Sequence, residues 1–245
     1  MKVQTVFKRY ELKYLLTNEQ REMLLRIMNP YMKLDQYGHT TIRNIYFDTD
    51  NFRLARHSIE GPPYKEKLRV RSYKCAKLGD EVFIELKKKY DSVVYKRRLT
   101  LPLDRTMECL CGRKDLPVHS QIADEINYFC SYYGTIQPVV FLSYEREAYY
   151  SLDGSDFRVT FDENILYRED ELSLGKPAYG TPLLDKGMVL MEIKTPGGIP
   201  LWMTHFLTEQ KIYKTSFSKY GAAYKDMMLN KDNKNHNYIG GILYA

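Results

Sequence analysis

Cysteine is scarce in this chain, and the spacing of the four cysteines excludes the common zinc motifs. Cys75, Cys109, Cys111 and Cys130 form no CxxC pair and have no histidine at ligand spacing. No stretch approaches the ~18 consecutive apolar residues that a membrane-spanning helix needs. The first residues, MKVQTVFKRYELKY, also lack the apolar segment of a signal peptide. We therefore expect a cytoplasmic protein with reduced thiols and no membrane insertion.

Several familiar catalytic motifs are missing as well. The chain contains neither a Walker A loop nor a glycine-rich GxGxxG loop, which argues against a conventional kinase. It contains no GxSxG motif, which argues against a serine hydrolase of that type. No repeat and no linker rich in proline, glycine or serine divides the chain. We therefore expect one domain, 1–229, followed by a polar C-terminal tail, 230–245.

Positive charge, in contrast, is in moderate excess. The chain has 37 Lys and Arg residues against 31 Asp and Glu residues, a net charge of +6. Such an excess indicates an anionic partner without identifying it, since phosphate, nucleic acid and membrane surfaces all qualify. The positions of the basic residues along the chain have to distinguish these partners.

Hydrophobic periodicity predicts a chain made mostly of strands. A capping box formed by Thr17 and Gln20 predicts the start of one helix, and apolar residues at core spacing predict two more over 120–133 and 216–229. Asp50 is the predicted N-cap of a further short helix. Period-two alternation predicts strands over 5–15, 40–48, 64–74, 80–89, 92–102, 136–149, 156–168 and 186–195.

Charged side chains, mainly basic, share one face of most predicted strands. Because side chains alternate across a strand, Lys67, Arg69 and Arg71 of KLRVRSY share a face, although Lys65 and Lys67 also lie beside GPP and fit an exposed loop edge. The further members of this pattern are Arg9, Glu11, Lys13, Glu81, Glu85, Lys87, Lys96, Arg98, Arg146, Arg158, Asp162, Glu192 and Lys194.

A solvated outer face explains one such strand, but it does not require an enrichment in Arg and Lys over seven strands. In a closed barrel these side chains would meet, and burying like charges is costly unless an anion or a metal neutralises them. Closure would also remove exposed sheet edges and leave the helices to cover the apolar outside. We therefore predict a closed antiparallel barrel with a basic lumen built for a polyanion.

Nine short motifs follow one another along the chain: RYELKY (9–14), NIYFDTDN (44–51), KLRVRSY (67–73), VFIELKKK (82–89), VVYKRRL (93–99), SYEREAY (143–149), FRVTFDENI (157–165), LMEIKTPGGIPLW (190–202) and FSKYGAAY (217–224). In this order they resemble the catalytic domain of the VTC (vacuolar transporter chaperone) family, the polyphosphate polymerase branch of the triphosphate tunnel metalloenzymes. The resemblance extends from about residue 6 to residue 225. The first strand departs from the ExExK pattern of the wider superfamily, because Arg9 replaces an acidic residue.

The resemblance implies an α+β fold, a closed antiparallel eight-stranded β-tunnel flanked by several helices. It implies a metal-dependent ATP-polyphosphate phosphotransferase, with ATP and inorganic polyphosphate or triphosphate as ligands. The phosphate-binding residues that it implies are Lys13, Arg69, Arg71, Lys87, Lys96, Arg98, Arg146, Arg158 and Lys219, with Arg9, Glu11 and Lys194 in a secondary role. The implied metal is Mn²⁺ or Mg²⁺, with Glu192 as its main ligand and Glu85 as a second one.

Some of these residues have a second interpretation. Glu192 and Lys194 fit a cross-strand ion pair less well than metal and phosphate ligands. For Glu85 and Lys87 the two interpretations are nearly equal, and Glu11 fits an ion-pair partner better than a metal ligand. The five histidines are scattered without metal spacing along the sequence.

Three other functions stay open at this point. A triphosphatase on the same tunnel would share the fold and the ligands, with water in place of the polyphosphate acceptor. A non-catalytic polyphosphate- or nucleotide-binding module would bind without turnover. Nucleic-acid binding is disfavoured because the basic residues alternate along strands instead of clustering on a helix or loop. Nothing in the sequence indicates a membrane-protein partner.

Overall fold

The structure is a computed structural model that describes residues 10–91 and 93–239, with side chains described as far as Lys231. These residues form eleven strands and six helices. The strands are β1 (Tyr10–Thr17), β2 (Met32–Leu34), β3 (Thr40–Asp48), β4 (Tyr64–Ser72), β5 (Glu81–Tyr90), β6 (Val93–Pro102), β7 (Gln137–Ser151), β8 (Arg158–Arg168), β9 (Thr181–Pro182), β10 (Met188–Thr195) and β11 (Lys214–Thr215). The helices are α1 (Asn18–Met28), α2 (Arg53–Glu60), α3 (Leu103–Gly112), α4 (Gln121–Tyr133), α5 (Leu201–Glu209) and α6 (Lys219–Ile239).

All strands belong to one antiparallel sheet. Its order is β11-β1-β10-β8-β7-β3-β4-β5-β6, with β2 beside β7 and β9 beside β8. The eight strands that the sequence predicts are the eight long ones, β1, β3, β4, β5, β6, β7, β8 and β10. The α+β class is therefore confirmed.

The predicted closure of the barrel is wrong at the level of backbone pairing. Over the described residues, β6 pairs with β5 only, and no ladder joins it to β1 or β11. Side chains connect the strands next to the two ends of the sheet instead: Lys87 Nζ on β5 lies 2.7 Å from Glu11 Oε2 on β1. The segment before α6 makes a second connection, between β1 and β4, because Lys13 Nζ donates to the Phe217 carbonyl at 2.7 Å and Lys67 Nζ to Ser218 Oγ at 2.9 Å.

The apolar face of the sheet lies under four helices. Over β4 and β5, Val70 and Ile84 belong to a buried cluster with residues of α3 and α4. Over β8 and β10, Val159 and Ile193 belong to a second cluster with residues of α1 and α5. Burying these side chains fixes the register, because a slip of one residue would turn the charged set into the core.

Helix α6 lies on the other face of the sheet, where the charged side chains are. Tyr220, Ala223 and Met227 of α6 form a third buried cluster with inward residues of the sheet such as Tyr46 and Leu142. The expectation that the helices cover only the apolar outside is therefore wrong for α6. This helix fills one part of the polar face and leaves the remainder to the charged groups.

A buried carboxylate, Asp48, holds α2 and α6 in place. Its oxygens accept hydrogen bonds from the Leu54 and Ala55 amides, each at 2.9 Å, and from the Tyr220 hydroxyl at 2.5 Å. The sequence predicts Asp50 as the cap of this helix, which is wrong: Asp50 is exposed and its side chain accepts only from the neighbouring amide, within the described contacts. Asp48, at the end of β3, accepts the hydrogen bonds from the start of this helix instead, and it lies six and seven residues before the amides that donate them.

The helix predictions are confirmed in part. The capping box is present, with the Gln20 amide donating to Thr17 Oγ1 at 3.2 Å and the Thr17 amide to Gln20 Oε1 at 3.0 Å. Helix α6 continues to Ile239, ten residues past the predicted end at 229. In the part of the chain that the structure describes, no helix combines the length and the apolar character that crossing a membrane requires.

Candidate functional site

The buried carboxylate of Glu85 is the centre of the first group of cations on the polar face. Its side chain is 1% exposed, and the register places Arg69 of β4 and Arg98 of β6 directly opposite it. Arg69 Nη2 lies 2.8 Å from Oε2, while Lys96 Nζ and Arg98 Nε lie 2.7 and 2.8 Å from Oε1. Burial alone would raise the pKa of Glu85, but these cations hold the pKa well below its usual value.

Neutral side chains fix the two arginines of β4 in addition. Arg69 Nη1 donates to the Tyr46 hydroxyl at 2.8 Å. Arg71 donates from Nε to Asn44 Oδ1 and from Nη2 to the Tyr144 hydroxyl, each at 2.9 Å. Sequence reasoning did not select these three partners, although the alternation along β3 and β7 places them on the charged face. The planar guanidinium groups are thus held at fixed orientations, as bidentate recognition of phosphate requires.

A second group forms around two carboxylates, Asp162 of β8 and Glu192 of β10. Arg146 binds Asp162 in a bidentate manner, with Nε–Oδ1 and Nη2–Oδ2 distances of 2.5 and 2.6 Å. The ammonium of Lys219 contacts Asp162 Oδ2 and lies 3.4 Å from Glu192 Oε1. Burial would raise the pKa of both carboxyls, but the surrounding cations lower it, most strongly Arg146 for Asp162 and Lys219 for Glu192. Asp162 was noted in the sequence pattern but not selected for the site.

Two further predicted residues, Glu11 and Lys87, form the ion pair that connects β1 to β5. Burial would raise the pKa of Glu11, but Lys87 and Lys194 bring the pKa down to about 2. Lys13, the neighbour of Glu11 on the same face, lies 3.6 Å from Glu192 Oε1. The pairing of Glu11 with a lumen cation is thus what the structure shows for this residue.

The remaining predicted residues lie farther from the two carboxylate groups. Lys194 Nζ lies 4.0 Å from Glu192 Oε2, and burial, together with nearby Arg146, lowers the pKa of Lys194 to about 8. Arg158 is not brought into either group, since its side chain is 57% exposed and lies 3.3 Å from Asp156. Arg9 lies outside the described residues.

Lys67 is a residue that the sequence analysis placed wrongly, at an exposed loop edge. It lies on the polar face two residues before Arg69 and lines a cavity of about 610 Å³. This cavity, which we call the lysine cleft, lies between β1, the strands β4 and β5, and the segment 214–218. Its lysines are Lys13, Lys65, Lys67, Lys87, Lys89 and Lys214.

The carboxylates differ in their capacity to bind a metal ion. Both oxygens of Glu85 accept close contacts, between 2.5 and 2.9 Å, from arginine and lysine donors. The cation contacts of Glu192 are longer, at 3.4 to 4.0 Å, and Asp162 lies on the neighbouring strand. Carboxylate oxygens are the ligands that Mg²⁺ and Mn²⁺ prefer. Glu192 is therefore the carboxylate of the two groups that could hold a divalent ion, whereas Glu85 and Asp162 already have their oxygens occupied by basic side chains.

A second set of side chains that could bind a metal ion lies on the opposite face of β7 and β8. His39 Nε2 lies 3.4 Å from Glu163 Oε1 and 3.6 Å from Glu145 Oε2. These three residues are the one group of this kind found among the described residues. Because side chains alternate, this group does not contribute to the polar face that carries Arg146 and Asp162.

Comparisons with known proteins agree with this architecture. The chain shares its fold with a candidate adenylate cyclase from Bacillus halodurans, with a TM-score of 0.55 and 15% identity over 88% of this chain and 96% of that one. It also matches a candidate adenylyl cyclase from Hippeastrum that has a dominant triphosphatase activity, with a TM-score of 0.53 and 15% identity over 89% and 96% of the two chains. No curated protein sequence matches the chain. The family model for the VTC domain matches residues 8–228, and the chain therefore belongs to the VTC domain family.

Proposed function

We propose that this chain is a polyphosphate polymerase that transfers the γ-phosphoryl group of ATP onto a growing inorganic polyphosphate and releases ADP. The observation that carries the proposal is the double group of arginines and lysines around buried carboxylates on one face of the sheet. Phosphoryl transfer requires mainly positioning and neutralisation of charge, and these groups supply both. Membership of the VTC domain family supports the choice of polyphosphate as the acceptor.

The arginines and lysines have different roles in this proposal. Arg69, Arg71 and Arg98 each present a planar fork, so they would bind two oxygens of one phosphate group and fix its orientation. Lys96 and Lys219 would act as point charges on the same chain. A bound Mn²⁺ or Mg²⁺ would be held by Glu192 and would add Lewis-acid neutralisation of the phosphate oxygens.

A triphosphatase is the second candidate, and a specific observation favours it. The Hippeastrum protein of the same fold has a dominant triphosphatase activity. The same cations would bind a triphosphate, and water would replace the polyphosphate acceptor. Since the two activities use one set of ligands, the products distinguish them.

The test is incubation of the purified protein with ATP and Mn²⁺, with and without a short polyphosphate primer. Polyphosphate is resolved on a stained gel, and ADP and free phosphate are measured in parallel. A ladder of growing chains with equivalent ADP is the expected result, and both are lost in Arg69→Ala. Arg105→Ala is the matched control, because Arg105 is exposed on α3 and pairs only with Glu108 within the described contacts. Free phosphate without a ladder would identify a triphosphatase, and bound polyphosphate without turnover would identify a binding module.

The metal assignment has its own test, which does not depend on turnover. Mn²⁺ binding is measured by electron paramagnetic resonance in wild type, Glu192→Gln and Glu147→Gln. Glu147 is the control, because it belongs to neither carboxylate group. Its carboxylate Oε2 lies 2.6 Å from Arg21 Nη2 instead. Loss of Mn²⁺ binding in Glu192→Gln alone is the expected result, and equal binding in all three proteins would contradict the assignment.

A further inference from the structure

Three side chains converge at one point on the face of β7 and β8 that lies opposite the phosphate-binding groups. His39 directly precedes β3, Glu145 lies on β7 and Glu163 lies on β8. His39 Nε2 lies 3.6 Å from Glu145 Oε2 and 3.4 Å from Glu163 Oε1, and the three ligand atoms lie within 4.8 Å of one another. Ligands of a tetrahedral ion bound at about 2.0–2.1 Å are separated by about 3.3 Å, so small side-chain rotations would complete a coordination sphere.

The backbone pairing explains why these side chains meet. Glu145 and Glu163 are directly opposite each other in the β7–β8 ladder, just after the irregularity at which the register shifts between Ser143 and Glu145. Such bulges re-aim side chains and are common next to functional sites. On the other side of β7, Thr41 is the partner of Glu145, so His39, two residues before Thr41, is brought beside it. The three ligands therefore come from three neighbouring strands or, for His39, from the residue at the end of one.

The two carboxylates lack the kind of partner that the next carboxylate on the same face has. Glu147, two residues farther along β7, lies 2.6 Å from Arg21. Within the part of the chain that the structure describes, neither Glu145 nor Glu163 has a lysine or arginine within 4.0 Å, and the basic side chain beside both is His39. Like charges directly opposite each other in a ladder are destabilising, and a bound cation would remove that repulsion.

A neighbouring side chain already orients one of the carboxylates. Asn164 Nδ2 donates to Glu145 Oε2 at 2.6 Å. Hydrogen bonds of this kind to the ligands are typical of metal sites, where they fix the direction of each ligand. The side chains of the three residues are between 30% and 47% exposed, so an ion can reach them from solvent.

The ligand types indicate the class of ion. One imidazole nitrogen with two carboxylate oxygens suits a first-row transition metal, whereas Mg²⁺ and Ca²⁺ prefer oxygen ligands alone. Zn²⁺ binds sets of three such side chains in four-coordinate sites that hold water in the fourth position. Mn²⁺ binds the same ligands more weakly than Zn²⁺ does. Glu192, in contrast, offers oxygen atoms only, so the two places on the sheet differ in the ion that they would select.

We propose that His39, Glu145 and Glu163 form a Zn²⁺ site, separate from the carboxylate groups of the polar face. The bound ion would connect the start of β3 to β7 and β8. These two strands carry Arg146 and Asp162 on their other face, so the ion would stabilise the part of the sheet that holds this ion pair. The site requires neither phosphate nor the reaction proposed above.

The test measures Zn²⁺ affinity by competition with a chromophoric chelator, in wild type, His39→Ala and Glu163→Gln. His119→Ala and Glu209→Gln are the matched controls, because they remove the same groups from exposed positions elsewhere. We expect each variant of the site to lose at least about tenfold in Zn²⁺ affinity, with both controls within about twofold of wild type. Glu192→Gln should retain this Zn²⁺ affinity, because Glu192 lies on the other face of the sheet.

Thermal denaturation distinguishes a lost ligand from a damaged fold. Without metal, at about pH 8 where an ordinary histidine is uncharged, Glu163→Gln should have a Tm at or above that of wild type, because the repulsion with Glu145 is removed. Zn²⁺ should raise the Tm of wild type and leave that of Glu163→Gln unchanged.

Three results would overturn the proposal. The first is a wild-type protein that binds no Zn²⁺, and the second is Zn²⁺ affinity that is unchanged in His39→Ala and Glu163→Gln or falls equally in the controls. The third is Zn²⁺ binding that is lost only in Glu192→Gln or only on alkylation of the cysteines, since the ion would then lie elsewhere.

Discussion

Replacing Glu85 by glutamine tests how the site is held together. This one carboxylate lies within 3.7 Å of basic groups of four residues, Arg69, Arg71, Lys96 and Arg98. Glutamine has nearly the same shape but no charge, so the variant leaves these cations facing each other. Removing one partner of a buried ion pair costs about 3–5 kcal/mol of unfolding free energy. For a domain of this size that corresponds to a fall in Tm of about 6–20 °C.

The informative result is the response of this variant to phosphate. Tripolyphosphate would supply the negative charge that the carboxylate provided, so it should raise the Tm of Glu85→Gln more than that of the wild type. Differential scanning fluorimetry with and without tripolyphosphate measures both effects. Glu81→Gln is the matched control, because Glu81 is exposed on the same strand and loses the same charge. If Glu85 were instead a metal ligand, Glu85→Gln would lose Mn²⁺ binding and gain nothing from tripolyphosphate, and the reasoning would be refuted.

Two further predictions concern pH and the anchoring of the helices. Burial lowers the pKa of Lys194 to about 8 and the pKa of Lys96 to about 7. The side chain of Lys194 is 22% exposed and that of Lys96 is 41% exposed, so solvent screens the charge of Lys194 less and the prediction is made for Lys194. Since bound phosphate favours the charged ammonium, tripolyphosphate should bind with net proton uptake near pH 8 and more weakly as the pH rises, by up to about tenfold per pH unit for each proton. Calorimetry in two buffers of different ionisation enthalpy measures the uptake, and its absence would contradict the assignment. Asp48→Asn should lower the unfolding free energy by about 2 kcal/mol, because Asp48 accepts from two amides of α2 and from Tyr220, whereas Asp50→Asn should leave thermal denaturation unchanged.

The strands could be predicted from the sequence because alternation is a local signal with a large energetic consequence. A shift of one residue in the register of KLRVRSY would place Arg69 and Arg71 in the hydrophobic core. The pattern therefore determines which face of the strand is buried. Helices α3 and α5 were not predicted, and their starts explain why. Pro102 and Pro200 occupy their N-cap positions, and neither offers a side-chain acceptor of the kind that marks a helix start.

The errors within the site have a different origin, since they depend on contacts between residues distant in sequence. Lys67 was assigned to an exposed edge because of the nearby GPP turn, but Ser218, which lies 151 residues later, covers its ammonium. The closure of the barrel was overestimated for the same reason. The sequence pattern of β1 and β6 is compatible with pairing, and nothing local shows that the segment carrying Phe217 and Ser218 lies between β1 and β4.

The two carboxylate groups explain how a face so rich in cations folds before phosphate binds. Each buried Asp or Glu offsets the repulsion among its neighbours and fixes their positions, but it also competes with phosphate for them. The contacts differ in a way that divides these roles. The basic partners of Glu85 lie at 2.5 to 2.9 Å, with one at 3.7 Å, so Glu85 keeps them in fixed positions. The basic partners of Glu192 lie at 3.4 to 4.0 Å, so replacing these contacts by contacts with phosphate costs less free energy. A metal-bound phosphate should therefore reorganise the Glu192 end of the site and leave the arginines around Glu85 where they are.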